Sequence, residues 1–152
     1  MTSAGAIHAS CVVVGEAGVL IRGPSASGKS ALARELILGA PRAARFARLV
    51  GDDRIRIANR NGRLLASALP AVAGKLEARG LGVLTMPYER SAIVRLVVDC
   101  LTEDPPRLPA KGDRHVTLCG VDLPRIAARI TPGLPAILLL RLADPGDTLM
   151  TT

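Results

Sequence analysis

One segment of the sequence has the pattern of a phosphate-binding loop. Residues Gly23-Pro24-Ser25-Ala26-Ser27-Gly28-Lys29-Ser30 fit G-x-x-x-x-G-K-[ST]. In such a loop, successive backbone N–H groups surround a nucleotide phosphate, and the N-terminus of the following helix adds partial positive charge. Lys29 would contact the β- and γ-phosphates, and the Ser30 hydroxyl would bind Mg²⁺. The apolar strand before the loop and the helix after it provide the context that the motif requires. A glycine-rich turn before a surface helix is the alternative.

Two adjacent acids, Asp52 and Asp53, follow the short apolar strand Phe46–Val50. A P-loop enzyme needs carboxylates that hold the metal and that position or deprotonate the nucleophile. Such acids lie at the C-terminal end of a strand beside the loop. Because neighbouring residues of a strand point to opposite faces, one acid would face the γ-phosphate while the other supports it. A solvated turn at the end of the strand is the alternative.

A further acidic segment, Glu77-Ala78-Arg79-Gly80-Leu81-Gly82, carries two glycines in a run that otherwise has strand character. The glycines indicate a close approach of the backbone to another group. In an extended segment Glu77 and Arg79 lie on one side, where an acid for Mg²⁺ and an arginine for phosphate would act together. An exposed ion pair at a strand edge is the alternative. His8 precedes the first strand and, by itself, has no assignable role.

These segments together resemble the catalytic domain of the bacterial HPr kinase/phosphorylase family. The resemblance runs in family order through His8, the phosphate loop, Leu49–Asp53, Ala68–Pro70 and Glu77–Gly82. Its most specific part is Glu77–Gly82, which is similar to the family signature E-[IV]-R-G-L-G. The resemblance implies an α/β fold, a β-rich P-loop fold like that of the HPr kinase C-terminal domain and related to phosphoenolpyruvate carboxykinase.

The resemblance also implies an activity and its partners. The protein would be a serine kinase that uses ATP and Mg²⁺ and phosphorylates HPr, or an HPr-like phosphocarrier of the sugar phosphotransferase system. Family members also run the reverse phosphorolysis, in which inorganic phosphate removes the phosphoryl group and pyrophosphate is released. Members are usually hexamers, so we expect a homo-oligomer.

The family's residue roles carry over by position. Asp52 would be the general base, and His8 would orient or tune it. Ser30 and Glu77 would bind Mg²⁺, and Lys29 would bind the phosphates. The complete set of candidate site residues is His8, Gly23, Pro24, Ser25, Ala26, Ser27, Gly28, Lys29, Ser30, Asp52, Asp53, Glu77 and Arg79.

Several residues depart from the family pattern. Ala26 takes the place of a loop glycine, and Ala31 takes the place of the acid that often follows G-K-S. The later basic motif tied to phosphorolysis has no close match, and its candidates are Arg107, Arg114 and Arg125. Two alternatives therefore stay open: a P-loop kinase of a small metabolite, and a non-catalytic ATP-binding regulatory module.

Composition limits the class of protein. The 152 residues suffice for one domain, and we expect a single P-loop kinase domain over residues 1–152, without the N-terminal domain of longer family members. Aromatic residues make up 1% of the chain, which excludes recognition of nucleic acid by stacking on aromatic side chains.

The net charge of +7 indicates an anionic partner, with a coding bias toward arginine as the alternative. Arginines between Arg42 and Arg63 bracket the two acids and predict a basic rim that attracts an anionic acceptor.

The cysteines and the N-terminus indicate the cellular compartment. Cys11, Cys100 and Cys119 are widely spaced and form no C-x-x-C pair, which is typical of buried thiols in a reducing environment. Met1–His8 lacks the pattern of a signal peptide, and the longest apolar runs are too short to span a bilayer. We expect a cytoplasmic protein with no membrane segment and no nucleic-acid partner.

The elements that must position these residues form a β-rich pattern. Asn61-Gly62 predicts a hairpin, and the nearly continuous apolar run Ala92–Asp99 predicts a central strand. The predicted helices are Ala31–Leu38, ended by Gly39, and a short helix over Ile126–Ile130. The predicted strands are Cys11–Val14, Val19–Ile21, Phe46–Val50, Arg54–Ala58, Leu64–Ala66, Leu81–Met86, Ala92–Asp99, Val116–Val121 and Ala136–Leu142.

Overall fold

Strands dominate the backbone of the protein. The computed structural model describes residues 5–43 and 45–143. The helices are α1 (Lys29–Gly39) and α2 (Leu134–Ala143), and short 3-10 segments cover Ala40–Ala43, Pro70–Val72 and Lys111–Arg114. The strands are β1 (Gly5–His8), β2 (Ser10–Val14), β3 (Ala17–Arg22), β4 (Ala47–Gly51), β5 (Arg54–Arg60), β6 (Arg63–Ala68), β7 (Lys75–Ala78), β8 (Gly82–Thr85), β9 (Ser91–Leu101), β10 (His115–Leu118) and β11 (Val121–Arg129).

A mixed nine-stranded sheet is organised around β9. Its main path runs β1-β5-β6-β9-β3-β2-β4, and β11 adds to β9 with β10 paired to β11. Val97 of β9 pairs with both Leu20 of β3 and Arg125 of β11, so β3 and β11 lie on opposite sides of β9. Both are parallel to β9, and therefore the C-terminal ends of the three strands meet at one edge of the sheet. The predicted central position of this strand is confirmed.

Two hairpins join consecutive strands of the sheet, and the second is the one that Asn61-Gly62 predicts. β2 and β3 are joined across Gly15 and Glu16, because Val14 pairs with Ala17. β5 and β6 are joined by Asn61 and Gly62, whose φ angles of 56° and 85° match the left-handed turn that this dipeptide favours.

Three segments differ from the predicted elements. Residues 136–142, predicted as a strand, lie inside α2, because an apolar run does not distinguish a buried strand from a helix and leucine favours the helix. Residues 126–130, predicted as a short helix, largely belong to β11, where pairing with β9 overrides the helix propensity of the alanines. The predicted strand Val116–Val121 is interrupted by a turn at Cys119 and Gly120, both with positive φ, so that β10 and β11 form a hairpin.

The end of α1 and the place of β8 also differ from expectation. Gly39 is the last residue of α1 rather than a residue beyond it, and a 3-10 segment containing Pro41 follows directly. The predicted strand Leu81–Met86 corresponds to β8, which pairs only with β7 and forms a separate two-stranded ribbon among the described residues. Both differences lie outside the phosphate loop, residues 23–30.

The core consists of two apolar clusters, one on each face of the sheet. Leu32 and Leu36 of α1 and Leu138 of α2 belong to the first cluster, which covers one face of β2, β3 and β9. The second cluster joins β2, β3, β5, β6, β9 and β11, with Leu20 and Ile55 among its members. Strands that are distant in the sheet order meet in this second cluster, so the sheet curves around it. No helix in the described residues is long and apolar enough to cross a membrane.

A charged cluster joins the C-terminal ends of the three parallel strands. Asp99 of β9 accepts hydrogen bonds from Arg22 Nε and Nη2 at 2.7 and 2.8 Å and from Arg125 Nε at 2.5 Å. Burial alone would raise the pKa of Asp99, but the hydrogen bonds from Arg22 and Arg125 outweigh burial and hold this pKa below its ordinary value. Because Arg22 is the residue before Gly23, the cluster fixes the point at which the phosphate loop leaves the sheet.

We expect Asp99→Asn to lower the free energy of unfolding by about 2–3 kcal/mol near neutral pH, because two partly buried guanidinium groups lose a charged acceptor. The lowered pKa means that this stabilisation is present above the unfolded pKa of about 3.9 and is lost as the pH falls through the folded-state pKa. Chemical denaturation over a pH series measures the difference between wild type and variant, which should shrink under acid conditions.

Asp104→Asn is the matched control for the Asp99 variant. It removes an exposed ion pair with Arg129, with 3.5 Å between Oδ1 and Nη1, and should change the free energy of unfolding by less than about 0.5 kcal/mol. Equal losses in the two variants, or an Asp99→Asn loss independent of pH, would contradict the assignment.

Candidate functional site

The phosphate loop between β3 and α1 has an alternating backbone conformation. Ala26 and Gly28 have positive φ angles of 65° and 98°. Left-handed residues alternating with right-handed ones turn successive N–H groups toward a common centre, which is the geometry that binds an anion. Lys29 Nζ donates hydrogen bonds to the carbonyl oxygens of Gly23 and Pro24, at 2.9 and 3.1 Å, and so lies folded across the loop.

Three features of the loop fit a bound phosphate group. The N-terminus of α1 has no side-chain cap and no acid in its first turn, so its positive end is available to an anion. The Oγ atom of Ser27 is buried and lacks a hydrogen-bond partner among the described residues. Gly28 has a φ of 98°, which favours glycine, and a Cβ there would meet the terminal methyl of Ile130 at 2.8 Å, so the backbone of the loop is open at this residue.

The carboxylate of Asp52 is the centre of the hydrogen bonds around the loop. It is 5% exposed and accepts from Ser10 Oγ at 2.6 Å and from Ser30 Oγ at 2.8 and 3.0 Å. The backbone N–H of Glu77 also donates to it, at 3.2 Å. Sequence reasoning missed Ser10, whose only signal is a hydroxyl in an otherwise apolar strand.

The two acids point in different directions, and His8 lies beside Asp53 rather than Asp52. Asp53 has a φ of 67°, and its side chain is 70% exposed. His8 Nδ1 lies 3.5 Å from Asp53 Oδ1, and Ala9 N–H donates to the carbonyl oxygen of Asp53 at 3.2 Å. The expected contact of His8 with Asp52 is therefore corrected: the tight turn buries Asp52 among the loop donors and exposes Asp53 at the end of β1.

The Glu77–Gly82 segment is a hairpin between β7 and β8. Ala78 pairs with Gly82, and Gly80 and Gly82 have φ angles of 83° and 104°. A Cβ at either glycine would meet nothing within 4 Å, so the glycines serve the turn and not the close backbone approach that the sequence suggested. Glu77 and Arg79 are both exposed and form no ion pair within the part of the chain that the structure describes.

A cavity of about 690 Å³ lies between the phosphate loop, the acidic turn and this hairpin. It is large enough for a nucleotide-sized ligand. Neither Asp52 nor His8 is among its lining residues. The lining residues are Ser25, Ala26, Gly28, Lys29, Ser30, Ala31, Arg34, Asp53, Glu77, Ala78, Arg79, Leu81 and Leu84.

The candidate set predicted from the sequence omits five of these lining residues: Ala31, Arg34, Ala78, Leu81 and Leu84. Arg34 lies one helical turn after Ser30, so helical spacing alone could have placed it on the loop side of α1. Ala31, Ala78 and Leu81 lie in or next to the predicted motifs, which assign them no role. Leu84 carries no chemical signal in the sequence, and only the hairpin brings it to the cavity.

None of the three arginines considered for phosphorolysis, Arg107, Arg114 and Arg125, lines this cavity. Arg125 is bound to Asp99 and also donates to the carbonyl oxygen of Asp113 at 2.9 Å. These contacts give Arg125 a structural role in the charged cluster.

The oxygen atoms near the loop fit a magnesium ion that is carried by a nucleotide. No group of three or more His, Cys, Asp or Glu residues within residues 5–43 and 45–143 forms a complete metal site. Mg²⁺ in phosphate-binding enzymes takes one or two protein oxygens and completes its shell with phosphate oxygens and water. The Ser30 hydroxyl and the Asp52 carboxylate, which already contact each other, are oxygens of this kind.

The buried thiols contribute no nucleophile to this site. Burial raises the pKa of Cys100 to about 11 and the pKa of Cys11 to about 12. Both thiols are therefore protonated and unreactive at neutral pH, although Cys100 lies directly beside Gly23.

Comparison with known proteins gives a consistent match. The family described as "HPr Serine kinase C-terminal domain" matches residues 1–141. The "HPr kinase/phosphorylase" of Geobacillus thermodenitrificans is 31% identical over 152 residues, which cover 91% of this chain. That of Clostridium tetani is 41% identical over 81 residues, which cover 53% of this chain and 25% of the relative.

A solved structure has the same fold. The HPr(Ser) kinase/phosphatase from Coxiella burnetii superposes with a TM-score of 0.76 at 24% identity, over 95% of this chain and 98% of that one. The sheet-dominated α/β fold expected from the sequence is thereby confirmed. The chain spans about half the length of the curated relatives that it matches, at 46% of the Geobacillus protein.

We expect Ala26→Gly to stabilise the protein, because Ala26 holds the left-handed φ of 65° that alanine adopts at a cost of about 1 kcal/mol. The free energy of unfolding should rise by up to about 1 kcal/mol in urea denaturation. Ala136→Gly in α2 is the matched control and should lower the free energy of unfolding by about 1 kcal/mol. A loss of similar size in both variants would show that Ala26 is not strained.

Proposed function

The chain belongs to the HPr serine kinase C-terminal domain family, and from this premise we propose that it is a Mg-ATP-dependent protein-serine kinase. Its acceptor is a serine hydroxyl of HPr or of an HPr-like phosphocarrier of the sugar phosphotransferase system. Relatives of this chain carry the name HPr kinase/phosphorylase, which supports kinase chemistry in general. The serine acceptor and the nucleotide are the finer parts of the proposal.

One contact supports the proposal most directly, the hydrogen bond from Ser30 Oγ to Asp52 at 2.8 Å. A P-loop serine joined to an acid at the end of a neighbouring strand is the arrangement with which P-loop enzymes hold the metal of Mg-ATP. The Glu77 N–H donates to the same carboxylate. The Glu77–Gly82 segment, which is the most specific part of the resemblance, therefore also lies beside Asp52. A glycine-rich turn or a solvated acidic turn would not produce this convergence.

The residues of the loop would bind the triphosphate. The backbone N–H groups of the loop and of the first turn of α1 would donate to the phosphates. Lys29 would leave the carbonyl oxygens of Gly23 and Pro24 and neutralise phosphate charge. Bound Mg²⁺ would neutralise charge on the β- and γ-phosphate oxygens. Ser30 and Asp52 would hold it, and Glu77 would supply a further carboxylate from the hairpin.

The two adjacent acids have different tasks in this proposal. The resemblance assigns the general base to Asp52, but the contacts of the two acids favour a different division of tasks. The Asp52 carboxylate already accepts from Ser10, Ser30 and the Glu77 N–H, and it is almost fully buried. Asp53 lines the cavity and is largely exposed. We therefore propose that Asp52 positions Ser30 and the metal while Asp53 is the base.

The chemical step then follows from Asp53. Its carboxylate takes the proton of the acceptor serine hydroxyl as the serine oxygen bonds to the γ-phosphorus. The bond from that phosphorus to the bridging oxygen of ADP breaks, and ADP leaves with the electron pair. His8, 3.5 Å from Asp53, orients the carboxylate toward the acceptor and is a positioning residue. Arg79, across the cavity, would stabilise negative charge on the transferring group.

Four further properties belong to the same proposal. In phosphorolysis, an oxygen of inorganic phosphate would bond to the phosphorus of phosphoserine and the bond from that phosphorus to the serine oxygen would break. Asp53 would then give a proton to the serine oxygen, and pyrophosphate would be released. A homo-oligomer, a hexamer by resemblance, and a single kinase domain stay predictions. A cytoplasmic location is supported by free Cys11, Cys100 and Cys119, which fit a reducing compartment.

Variants of the two acids test the assignment of the base. We expect Asp53→Asn to lower kcat for HPr phosphorylation by about 10²–10⁴-fold while Mg-ATP binding is retained, because general-base catalysis contributes about this factor. Asp52→Asn should instead weaken Mg-ATP binding and raise the Mg²⁺ concentration needed for activity. Titration calorimetry with Mg-ATP and steady-state kinetics separate the two effects, and the opposite pattern would return the base to Asp52.

Mass spectrometry of the acceptor tests the activity itself. HPr incubated with the protein and Mg-ATP should gain one phosphoserine, and HPr with its target serine changed to alanine should gain none. Transfer only to small metabolites would favour the small-metabolite kinase. Tight Mg-ATP binding without turnover on any acceptor would favour the regulatory module.

A further inference from the structure

The outer face of one part of the sheet carries a row of exposed arginines. Cross-strand partners in antiparallel pairs share a face, so Arg56 lies on the same face as Ser67, which in turn faces Ser91. The opposite face of these strands is buried in the second apolar cluster. We call this outer surface of β1, β5, β6 and the first half of β9 the arginine face; its charged members are Arg54, Arg56, Arg60, Arg63 and Arg95.

The positive charge of the arginine face is not neutralised within the described chain. β1, β5, β6 and residues 91–95 contain no Asp or Glu. None of the five arginines forms an ion pair with a described residue. Arg60 and Arg63 stand directly opposite each other, an arrangement that destabilises a β pair by like-charge repulsion. An anionic partner would relieve this repulsion.

The arginine face is continuous with the candidate active site. Arg54 pairs with His8 across β1 and β5, and His8 Nδ1 lies 3.5 Å from the Asp53 carboxylate that lines the cavity. A partner lying on the arginine face therefore reaches the acid at which the acceptor serine would react. A remote basic patch would have no such connection with the cavity.

We propose that the arginine face is the docking surface for the protein acceptor, and that it binds an acidic surface next to the target serine. This inference rests on the proposed kinase function and names the chemistry of its partner. Between the arginines lie small residues, such as Ala6, Ala58 and Ser67, which allow a folded protein surface to approach closely. No aromatic side chain occurs on these strands, which disfavours single-stranded nucleic acid as the partner.

Charge reversal on the arginine face tests the proposal. The test protein is Arg56→Glu with Arg95→Glu, two exposed positions outside the proposed catalytic machinery. The matched control is Arg42→Glu with Arg48→Glu, which makes the same charge change after α1 and on β4, at the other end of the strand order. The substrates are HPr and a version of HPr in which the surface Asp and Glu residues nearest the target serine are Asn or Gln.

At low salt we expect the test protein to raise the KM for HPr by about tenfold or more, and the control to change it by less than about threefold, because steering depends on local charge. The increase should shrink as ionic strength rises. With the wild-type kinase, the neutralised HPr should have a higher KM than unmodified HPr. The charge reversal in the test protein should change the KM for the neutralised HPr much less than it changes the KM for unmodified HPr. The dissociation constant of Mg-ATP should be the same in all proteins.

The outcomes separate the docking surface from the activity. Phosphorylation of HPr with an equal KM in the wild type, test and control proteins would overturn the docking surface and leave the kinase function intact. Absence of phosphoserine in the wild type would overturn the proposed function, and the inference with it. Random-sequence duplex DNA that binds the wild type as tightly as HPr does, and that is lost in the test protein, would identify the face as a general polyanion surface and overturn the proposal.

Discussion

The candidate site depends on the hydrogen bonds that the buried carboxylate of Asp52 accepts. A charge removed from water must be surrounded by donors, and here the donors come from three separate parts of the chain: Ser10 of β2, Ser30 of α1 and the backbone of Glu77 in β7. The hydrogen bonds to this carboxylate therefore also fix the positions of β2, the phosphate loop and the β7–β8 hairpin relative to one another. Ser10, a hydroxyl in a fully buried strand, has its explanation in this carboxylate.

The charged cluster around Asp99 holds the start of the phosphate loop. Asp99 joins β3, β9 and β11 through Arg22 and Arg125, and Arg22 is the last residue before the loop begins. At the other end of the loop, the side chain of Ile130 lies close to Gly28, where an added Cβ would come within 2.8 Å of it. These contacts hold both ends of the loop, whose backbone includes the left-handed Ala26. A loop held at both ends requires less ordering when a phosphate binds, which favours binding.

Residues with strong local preferences were predicted well from sequence, and residues whose state depends on distant partners were not. Asn61-Gly62 requires left-handed φ angles and gave the β5–β6 hairpin, and the run at β9 gave the central strand. The apolar run in α2 and the alanine-rich end of β11 were assigned the wrong way round. Their composition fits either state, and packing on α1 in one case and pairing with β9 in the other decided between them.

For the site, residue types and their spacing were enough to predict the chemistry: a phosphate loop, a pair of acids, a glycine-bearing acidic motif and an excess of arginine. These depend on side-chain type and on local backbone geometry, both of which short-range sterics dictate. The tertiary structure decided which groups meet. Ser10 and Asp52 are 42 residues apart, His8 reaches Asp53 and not Asp52, and arginines scattered over three strands come to one face beside the cavity. Strand register sets these contacts, and register follows from the burial of a whole sheet face, to which every strand contributes and which no short segment encodes.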